Sequence, residues 1–419
     1  MEVTLVVLFI IGYLLITLEH TWDIHKSVTA AALGASLWFI IALREGDAVK
    51  HTTEALGSEI FGLILFLFAA MTLVELLVHY RFFDWIRVRL LSLGLNDYKQ
   101  LWLIGALSFV LSAIIDNLTT TIVMIQIARR FFKGKNLLVT VSAIVIAANA
   151  GGAFSPLGDV TTIMLWLAKK FTWNEIIGNA FLPSLGLWLT SMYLLTRMIT
   201  TDTRDVKEES VRLARSERVI IGVGMISFLF PVVFKELGLE PYFGLLFGLG
   251  LTGLTSALFR AVSKRDTHLT ADITTMLVRV DFASLLFFSG ILLAVGALEH
   301  VGILEAISHS LFGEHATFAR YVIGSSALGI FSAVIDNIPL TAAAIDILKT
   351  TDPAIWSLLA FAVGTGGSLL VIGSAAGVVA MGMIKELTFF RYITIAMFPA
   401  FIGYAVGIAI WYVQYQIMH

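Results

Sequence analysis

Apolar runs of about 20 residues follow one another along almost the whole chain, and each is long enough to cross a lipid bilayer as a helix. Of the 419 residues, 58% are hydrophobic and 14% are charged, whereas about a quarter of the residues in a soluble domain are charged. The mean hydropathy of +0.89 agrees with this low content of charged residues. The sequence therefore predicts an all-α polytopic membrane protein, with the first run, 3–18, kept as a helix because no basic stretch precedes it.

The predicted full spans number five in each half of the chain. They lie near 3–19, 27–43, 60–78, 137–168 and 175–198 in the first half, and near 218–234, 241–260, 281–299, 355–384 and 391–415 in the second.

Two further apolar segments, 101–131 and 320–349, each carry an acid and an amide in the middle, and their central sequences match in register. The first reads Ser112-Ala113-Ile114-Ile115-Asp116-Asn117 and the second Ser332-Ala333-Val334-Ile335-Asp336-Asn337. An unpaired ionised side chain in the middle of a membrane segment costs roughly 3 kcal/mol or more. An acid at the same place in both segments therefore indicates a function. Each arm of about 15 residues reaches about 22 Å, which is too short to cross the bilayer.

The charges around these segments predict re-entrant helical hairpins in opposite orientations. Basic residues flank 101–131 on both sides, which places both of its ends on the cytoplasmic side. The equivalent region before the second segment, 299–319, carries three Glu and no Lys or Arg. Each half has five spans, an odd number, which also places the two halves in opposite orientations in the membrane. Such inverted repeats are typical of secondary transporters. We therefore predict a first repeat over 1–198, a cytoplasmic linker over 199–217 and a second repeat over 218–419.

A long apolar helix interrupted in its middle follows each hairpin, over 137–168 and 355–384. The first interruption runs from Asn149 through Gly151-Gly152 and Pro156 to Asp159, and the second from Gly364 to Ser374. Glycine relaxes the backbone and proline removes a donor, so both release carbonyl groups from the helical ladder. Released carbonyls, hydroxyls and carboxylates are the ligands that a hard cation prefers.

Several classes of function are excluded by the residues that the chain does not contain. It has no cysteine, which excludes disulfides, thiolate metal sites and thiol catalysis. It has no Walker A sequence and no pair of histidines at ligand spacing within a span, so neither direct use of ATP nor a zinc enzyme is expected. We expect no enzyme activity, no cofactor and no nucleic-acid partner.

With these motifs the chain resembles the NhaD-type sodium/proton antiporters of the ion transporter superfamily over essentially its whole length. The resemblance rests on Ile115 to Thr120, Asn149 to Thr162, Ile335 to Pro339 and Gly366-Gly367-Ser368. It implies exchange of Na⁺ or Li⁺ for H⁺ across a bacterial inner membrane by a multi-pass protein that is surrounded by lipid and often dimeric. The positions that it marks as functional are Ser112, Asp116, Asn117, Asn149, Asp159, Thr161, Thr162, Ser332, Asp336, Asn337, Ser368 and Ser374.

The mechanism expected from these residues is competition between a cation and a proton. Asp116, Asp159 and Asp336 are predicted to meet near the middle of the membrane, where both ions would use the same carboxylate oxygens. Asn117, Asn337, Thr119 and the carbonyls of the glycine-rich breaks would complete the sodium shell. Rocking of one bundle against the other would expose the site to each side in turn.

Two other functions remain open at this stage. An anion carrier of the same architecture, for carboxylates, is disfavoured because both hairpin tips carry an Asp that would repel the substrate. Arsenite is neutral near pH 7 and escapes that argument, so arsenite efflux is the stronger rival. A passive channel is disfavoured by the predicted inverted repeats, which favour alternating access.

Overall fold

The computed structural model describes residues 2–17, 25–91, 95–200, 213–262, 276–303, 317–334 and 337–418. Within these ranges the regular structure is entirely helical. The helices of the first half are α1 (Glu2–Thr17), α2 (Lys26–Glu45), α3 (Lys50–His79), α4 (Phe82–Leu91), α5 (Asp97–Ser112), α6 (Asn117–Phe131), α7 (Gly134–Gly152), α8 (Val160–Leu167) and α9 (Trp173–Thr196). Those of the second half are α10 (Arg215–Ser227), α11 (Phe230–Glu236), α12 (Pro241–Val262), α13 (Phe282–His300), α14 (Phe318–Phe331), α15 (Asn337–Ile347), α16 (Pro353–Gly366), α17 (Ala375–Met383), α18 (Phe389–Tyr392) and α19 (Phe398–Met418).

Short polar side chains fix where many of these helices begin. The first turn of a helix leaves backbone N–H groups without partners, and a Ser, Thr, Asp or Asn side chain just before it accepts one of them. The residues that do so are Asn96, Asp116, Asp159, Thr172, Asp281, Thr317, Asp352, Ser374 and Thr388. The acids at 116 and 159 therefore have a local structural role besides any role in transport.

Six helical segments of the described chain are long and apolar enough to cross a membrane: Ser27–His79, Gly134–Gly152, Arg215–Glu236, Pro241–Ala261, Phe282–His300 and Phe389–Met418. The first of them combines two predicted spans. Three shorter apolar helices, Val3–Ile16, Phe318–Phe331 and Pro353–Gly366, also coincide with predicted membrane segments. The prediction of an all-helical polytopic membrane protein is confirmed, whereas the opposite orientation of its halves stays a prediction.

Helix breaks are found in all four segments where the sequence predicted them. Helices α5 and α6 form a hairpin around Asp116, and α14 and α15 form the corresponding pair. Helix α7 is separated from α8 by 153–159, and α16 is separated from α17 by 367–374, a stretch that includes one short 3₁₀ turn at Val371–Gly373.

Two of the predicted spans are irregular within their length, although both lie in segments that are long and apolar enough to cross a membrane. The predicted span 218–234 is two helices, because Pro231 at the start of α11 has no N–H and its ring cannot follow a preceding helical turn. The predicted span 391–415 contains a π-helical turn at Ile393–Met397, ahead of Pro399, which likewise lacks a donor. Helix α4 was not predicted, because its charged residues interrupt the hydropathy signal.

The chain forms two compact units, and each unit takes residues from both halves of the sequence. The first unit consists of Met1–Phe82, Leu213–Glu314 and Ala342–Leu348. The second unit consists of Phe83–Arg212, His315–Thr341 and Lys349–His419. Both hairpin tips and both broken helices belong to the second unit, so all the described candidate site residues lie within one compact body.

The first unit is built on a close contact between α2 and α13. Glycines at the crossing let the two backbones touch: a Cβ placed on Gly34 would lie 2.6 Å from the Gly290 carbonyl oxygen, and a Cβ on Gly290 would overlap the backbone of Ala30. At one end of this pair the His300 ring lies 2.8 Å from the Glu45 carboxylate. In the same unit the Tyr80 and Ser256 hydroxyls are hydrogen-bonded at 2.5 Å.

We expect Gly290→Ala to destabilise the first unit by about 1–3 kcal/mol, the usual cost of overpacking, because the new methyl group meets backbone atoms that cannot move aside. Thermal unfolding of the detergent-purified protein measures this. Gly222→Ala is the matched control, since a Cβ at Gly222 meets nothing within 4 Å. Equal melting temperatures for the two variants would contradict the close contact.

Candidate ion-binding site

The first arms of the two hairpins pack against the two broken helices in the same way. The Ser112 hydroxyl at the first hairpin donates to the Ala148 carbonyl of α7 at 2.6 Å, and the Ser332 hydroxyl at the second donates to the Val363 carbonyl of α16 at 2.9 Å. Glycine allows the close approach in both cases: Gly151 lies against the Phe109 carbonyl and Gly366 against the Gly329 carbonyl. The internal duplication read from the sequence is therefore also a duplication of packing.

The two breaks end in equivalent residues of different chemistry. The Asp159 carboxylate caps α8 by accepting the Thr161 N–H at 3.2 Å, and the Ser374 hydroxyl caps α17 by accepting the Gly377 N–H at 3.2 Å. Asp159 and Ser374 are both 1% exposed. The two predicted interruptions end at these two positions, and each of the two residues caps the helix that follows. Only the first break supplies a carboxylate.

Asp159 lies between the asparagines of the two hairpin tips. The Asn117 amide donates to Asp159 Oδ2 at 3.2 Å, and the Asn337 amide donates to Oδ1 at 3.2 Å and to Oδ2 at 3.4 Å. With the Thr161 N–H, both carboxylate oxygens act as acceptors. The donors are uncharged amide groups contributed by three different helices, α6, α8 and α15.

Asn149 extends this network to the second break. Its side-chain oxygen accepts from the Asn117 amide at 3.1 Å. Its own amide donates to the Ser368 hydroxyl at 2.8 Å and to the Ser374 hydroxyl at 3.0 Å. Asn149 is 0% exposed, so six polar side chains form one continuous buried cluster: Asn117, Asn149, Asp159, Asn337, Ser368 and Ser374.

The remaining predicted site residues have different surroundings. The Thr162 hydroxyl donates to the carbonyls of Ser155 and Asp159, and the hydroxyls of Ser112 and Ser332 donate to the backbone as described above. The Thr119 N–H donates to Asp116 Oδ1 at 2.7 Å. The buried Thr161 hydroxyl has no hydrogen-bond partner among the described residues. Asp336 lies outside the described residues.

A buried carboxylate surrounded by amides and hydroxyls favours a small cation over an anion. Carboxylate, carbonyl and hydroxyl oxygens are the ligands of hard cations. A second negative charge beside Asp159 would be repelled strongly in a medium of low dielectric constant. In the described part of the chain no group of three or more His, Asp or Glu side chains could hold a metal ion.

Comparisons with known proteins agree with this chemistry. The sequence profile of a family described as "Citrate transporter" matches residues 6–366. Sodium/proton antiporter 1 of Arabidopsis thaliana is 37% identical over 97% of this chain and 72% of its own length. The Na⁺/H⁺ antiporter NhaD of Alkalimonas amylolytica is 32% identical over 97% of this chain and 89% of its own length, and that of Halomonas elongata is 30% identical over 99% and 87%. The chain belongs to the NhaD-type sodium/proton antiporters.

Membership of the NhaD-type antiporters confirms several predictions. The relatives are transporters, so the chain is a multi-pass membrane transporter and not an enzyme. The resemblance on which the sequence analysis relied is confirmed over nearly the full length. Antiporters of both plants and bacteria are among its relatives.

Sequence reasoning missed three features of this NhaD-type site. Gly364 of α16 borders Asp159, since a Cβ at that position would lie 3.1 Å from Oδ2. The fully buried Tyr392 donates its hydroxyl to the Ser368 carbonyl at 2.8 Å and so fixes the second break. The Thr120 hydroxyl, one residue beyond the predicted Thr119, is buried without a partner among the described residues. Thr120 and Gly364 lie in stretches named in the sequence analysis, Thr120 in Ile115 to Thr120 and Gly364 at the start of the second interruption, whereas Tyr392 lies in neither.

Proposed function

We propose that the chain exchanges Na⁺ for H⁺, with Asp159 as the group that carries either ion. The observation that supports this most is the burial of the Asp159 carboxylate between Asn117 and Asn337, one from each hairpin tip. An ionised carboxylate at this depth is costly unless it is compensated. A bound proton or a bound sodium ion compensates this charge, and the binding of one removes the charge that attracts the other.

The asparagines allow the site to accept a cation without new residues entering it. In the arrangement described, the NH₂ groups of Asn117 and Asn337 face Asp159. A half-turn of either amide about its last side-chain bond replaces the N–H donor by the carbonyl oxygen of the same side chain. Asp159 and the two carbonyl oxygens would then surround a sodium ion, and the Thr161 hydroxyl would add a further oxygen.

Two further acids, a second cation and a bacterial membrane belong to the same proposed function. Asp116 and Asp336, which precede Asn117 and Asn337 in the sequence, join Asp159 in holding cation and proton. Li⁺ is carried as well as Na⁺, because a site of hard oxygen ligands accepts both. The two hairpins and broken helices expose the site alternately to each side of a bacterial inner membrane. The protein works as a homodimer embedded in lipid.

The test is transport by the purified protein in vesicles with an imposed pH gradient and an internal pH-sensitive dye. We expect NaCl and LiCl to drive proton movement and KCl to drive none. Vesicles without protein, and protein vesicles given choline chloride, are the controls. Absence of proton movement with both Na⁺ and Li⁺ would refute the proposal.

The same vesicles test the rival substrates. The matching family is described as a citrate transporter family, and carriers of arsenite or carboxylates remain the alternative function. Uptake of labelled citrate or arsenite, measured with and without a sodium gradient, distinguishes these from cation exchange. We expect no protein-dependent uptake of either, because Asp159 repels citrate and no thiol is present to bind arsenite.

A further inference from the structure

The duplicated packing assigns each residue of the first broken helix a counterpart in the second. Ala148 and Val363 both accept a hairpin serine hydroxyl, so the residues after them, Asn149 and Gly364, are equivalent. Asp159 and Ser374 are equivalent as helix caps. Asn149, near the end of the helix before the first break, therefore faces Ser374, which caps the helix after the second break. Gly364, near the end of the helix before the second break, likewise faces Asp159, which caps the helix after the first.

The side chains at these positions are complementary in size. Asn149 is long and reaches the short Ser374 of the other break at 3.0 Å. Gly364 has no side chain and borders the longer Asp159, with a hypothetical Cβ 3.1 Å from Asp159 Oδ2 and 3.7 Å from the Ala153 Cβ. The asparagine side chain at the second break therefore has no counterpart at the first, where the Asp159 carboxylate approaches the Gly364 backbone directly.

The backbone at Gly364 also differs from that at Asn149. The Asn149 carbonyl keeps its helical bond, because the Ala153 N–H donates to it at 3.1 Å. In a regular helix the Gly367 and Ser368 N–H groups would donate to the Val363 and Gly364 carbonyls. In α16 both N–H groups donate to the Thr365 carbonyl instead. The Gly364 carbonyl is thereby released from the helical ladder at the residue that borders Asp159.

We propose that Gly364 sets the size of the cation that Asp159 accepts. This inference rests on the proposed cation exchange, and it adds the residue that selects among cations. A methyl group at 364 narrows the space beside Asp159 Oδ2 in which the ion and its oxygen ligands must fit. Cavity size and ligand flexibility determine which of two cations of the same chemistry is preferred. Na⁺ is larger than Li⁺, so the methyl group penalises Na⁺ more.

Two substitutions change this space in opposite directions. Gly364→Ala adds a methyl group that meets only the Asp159 carboxylate tightly, since its contact with Ala153 is an ordinary one. Ala153→Gly removes the methyl group on the other side of the same space. Gly224→Ala in the first unit is the matched control, because its Cβ would lie 3.2 Å from the Leu77 side chain, a contact of similar tightness away from the site.

The measurement is the ratio of the apparent KM for Na⁺ to that for Li⁺ in the vesicle assay. We expect Gly364→Ala to raise this ratio about tenfold, Ala153→Gly to lower it about threefold and Gly224→Ala to leave it unchanged. General damage to the fold lowers the rates for both ions together and does not move the ratio. If a variant no longer transports, the shift in melting temperature with NaCl and LiCl at constant ionic strength gives the same ratio for binding.

The outcomes separate this inference from the function on which it rests. If the parent exchanges both cations but neither variant moves the ratio by more than about twofold, in transport or in binding, Gly364 is not a size filter and the exchange still stands. If the parent itself drives no proton movement and is not stabilised by either cation, the proposed function fails and the inference falls with it.

Discussion

Asp159→Asn is expected to abolish sodium-driven proton movement while the protein still folds. The substitution keeps the shape of the side chain but removes the charge that attracts the cation and the oxygen that binds the proton. A cation 4 Å from a carboxylate gains about 4 kcal/mol at an effective dielectric constant of 20, so we expect a loss of at least roughly 100-fold in apparent affinity. The vesicle assay measures it over a wide range of NaCl concentrations.

The fold should survive because the neighbouring amides can adapt. The new NH₂ group would face the NH₂ groups of Asn117 and Asn337, and a half-turn of either amide turns that donor into an acceptor. Asp47→Asn, the same chemical change at an exposed position of the first unit, is the control and should transport like the parent. Sodium-driven proton movement at parental rates in Asp159→Asn would remove Asp159 from the mechanism.

The sequence predicted the helix breaks and most of the cluster because these features are local. A few neighbouring residues are enough to recognise a polar residue in an apolar run, or a glycine or proline in a helical run. The match between the two Asp-Asn stretches then placed Asn117 and Asn337 in one site, and the structure brings both to Asp159. The predicted interruptions end at Asp159 and at Ser374, and these two residues cap the second helix of each break.

The remaining features depend on packing between distant segments and have no local signal. Gly364 reads as one of several glycines in its break, and only its approach to Asp159 distinguishes it. Tyr392 reads as a membrane aromatic until its hydroxyl is found on the Ser368 carbonyl. The division into two compact units differs from the division into repeats, because each unit combines residues from both halves.

Asp116→Asn is expected to separate the two roles that Asp116 combines. The carboxylate caps α6 by accepting the Thr119 N–H at 2.7 Å, and its charge is proposed to serve ion binding beside Asn117. Asparagine caps a helix about as well as aspartate, whereas alanine costs about 1 kcal/mol at such a position. The Asn variant therefore tests the charge alone, and Asp116→Ala removes charge and cap together.

If the charge serves transport, both variants lose sodium-driven proton movement, and only Asp116→Ala also loses thermal stability. If Asp116 is only a cap, Asp116→Asn keeps the parental exchange rate and Asp116→Ala shows reduced stability with exchange in proportion to the folded protein. Asp281→Asn is the matched control, because Asp281 caps α13 by accepting the Ser284 N–H at 3.1 Å in the first unit, away from the cluster. Parental exchange in Asp281→Asn combined with its loss in Asp116→Asn would assign the effect to the charge at the hairpin tip, because both substitutions preserve a helix cap.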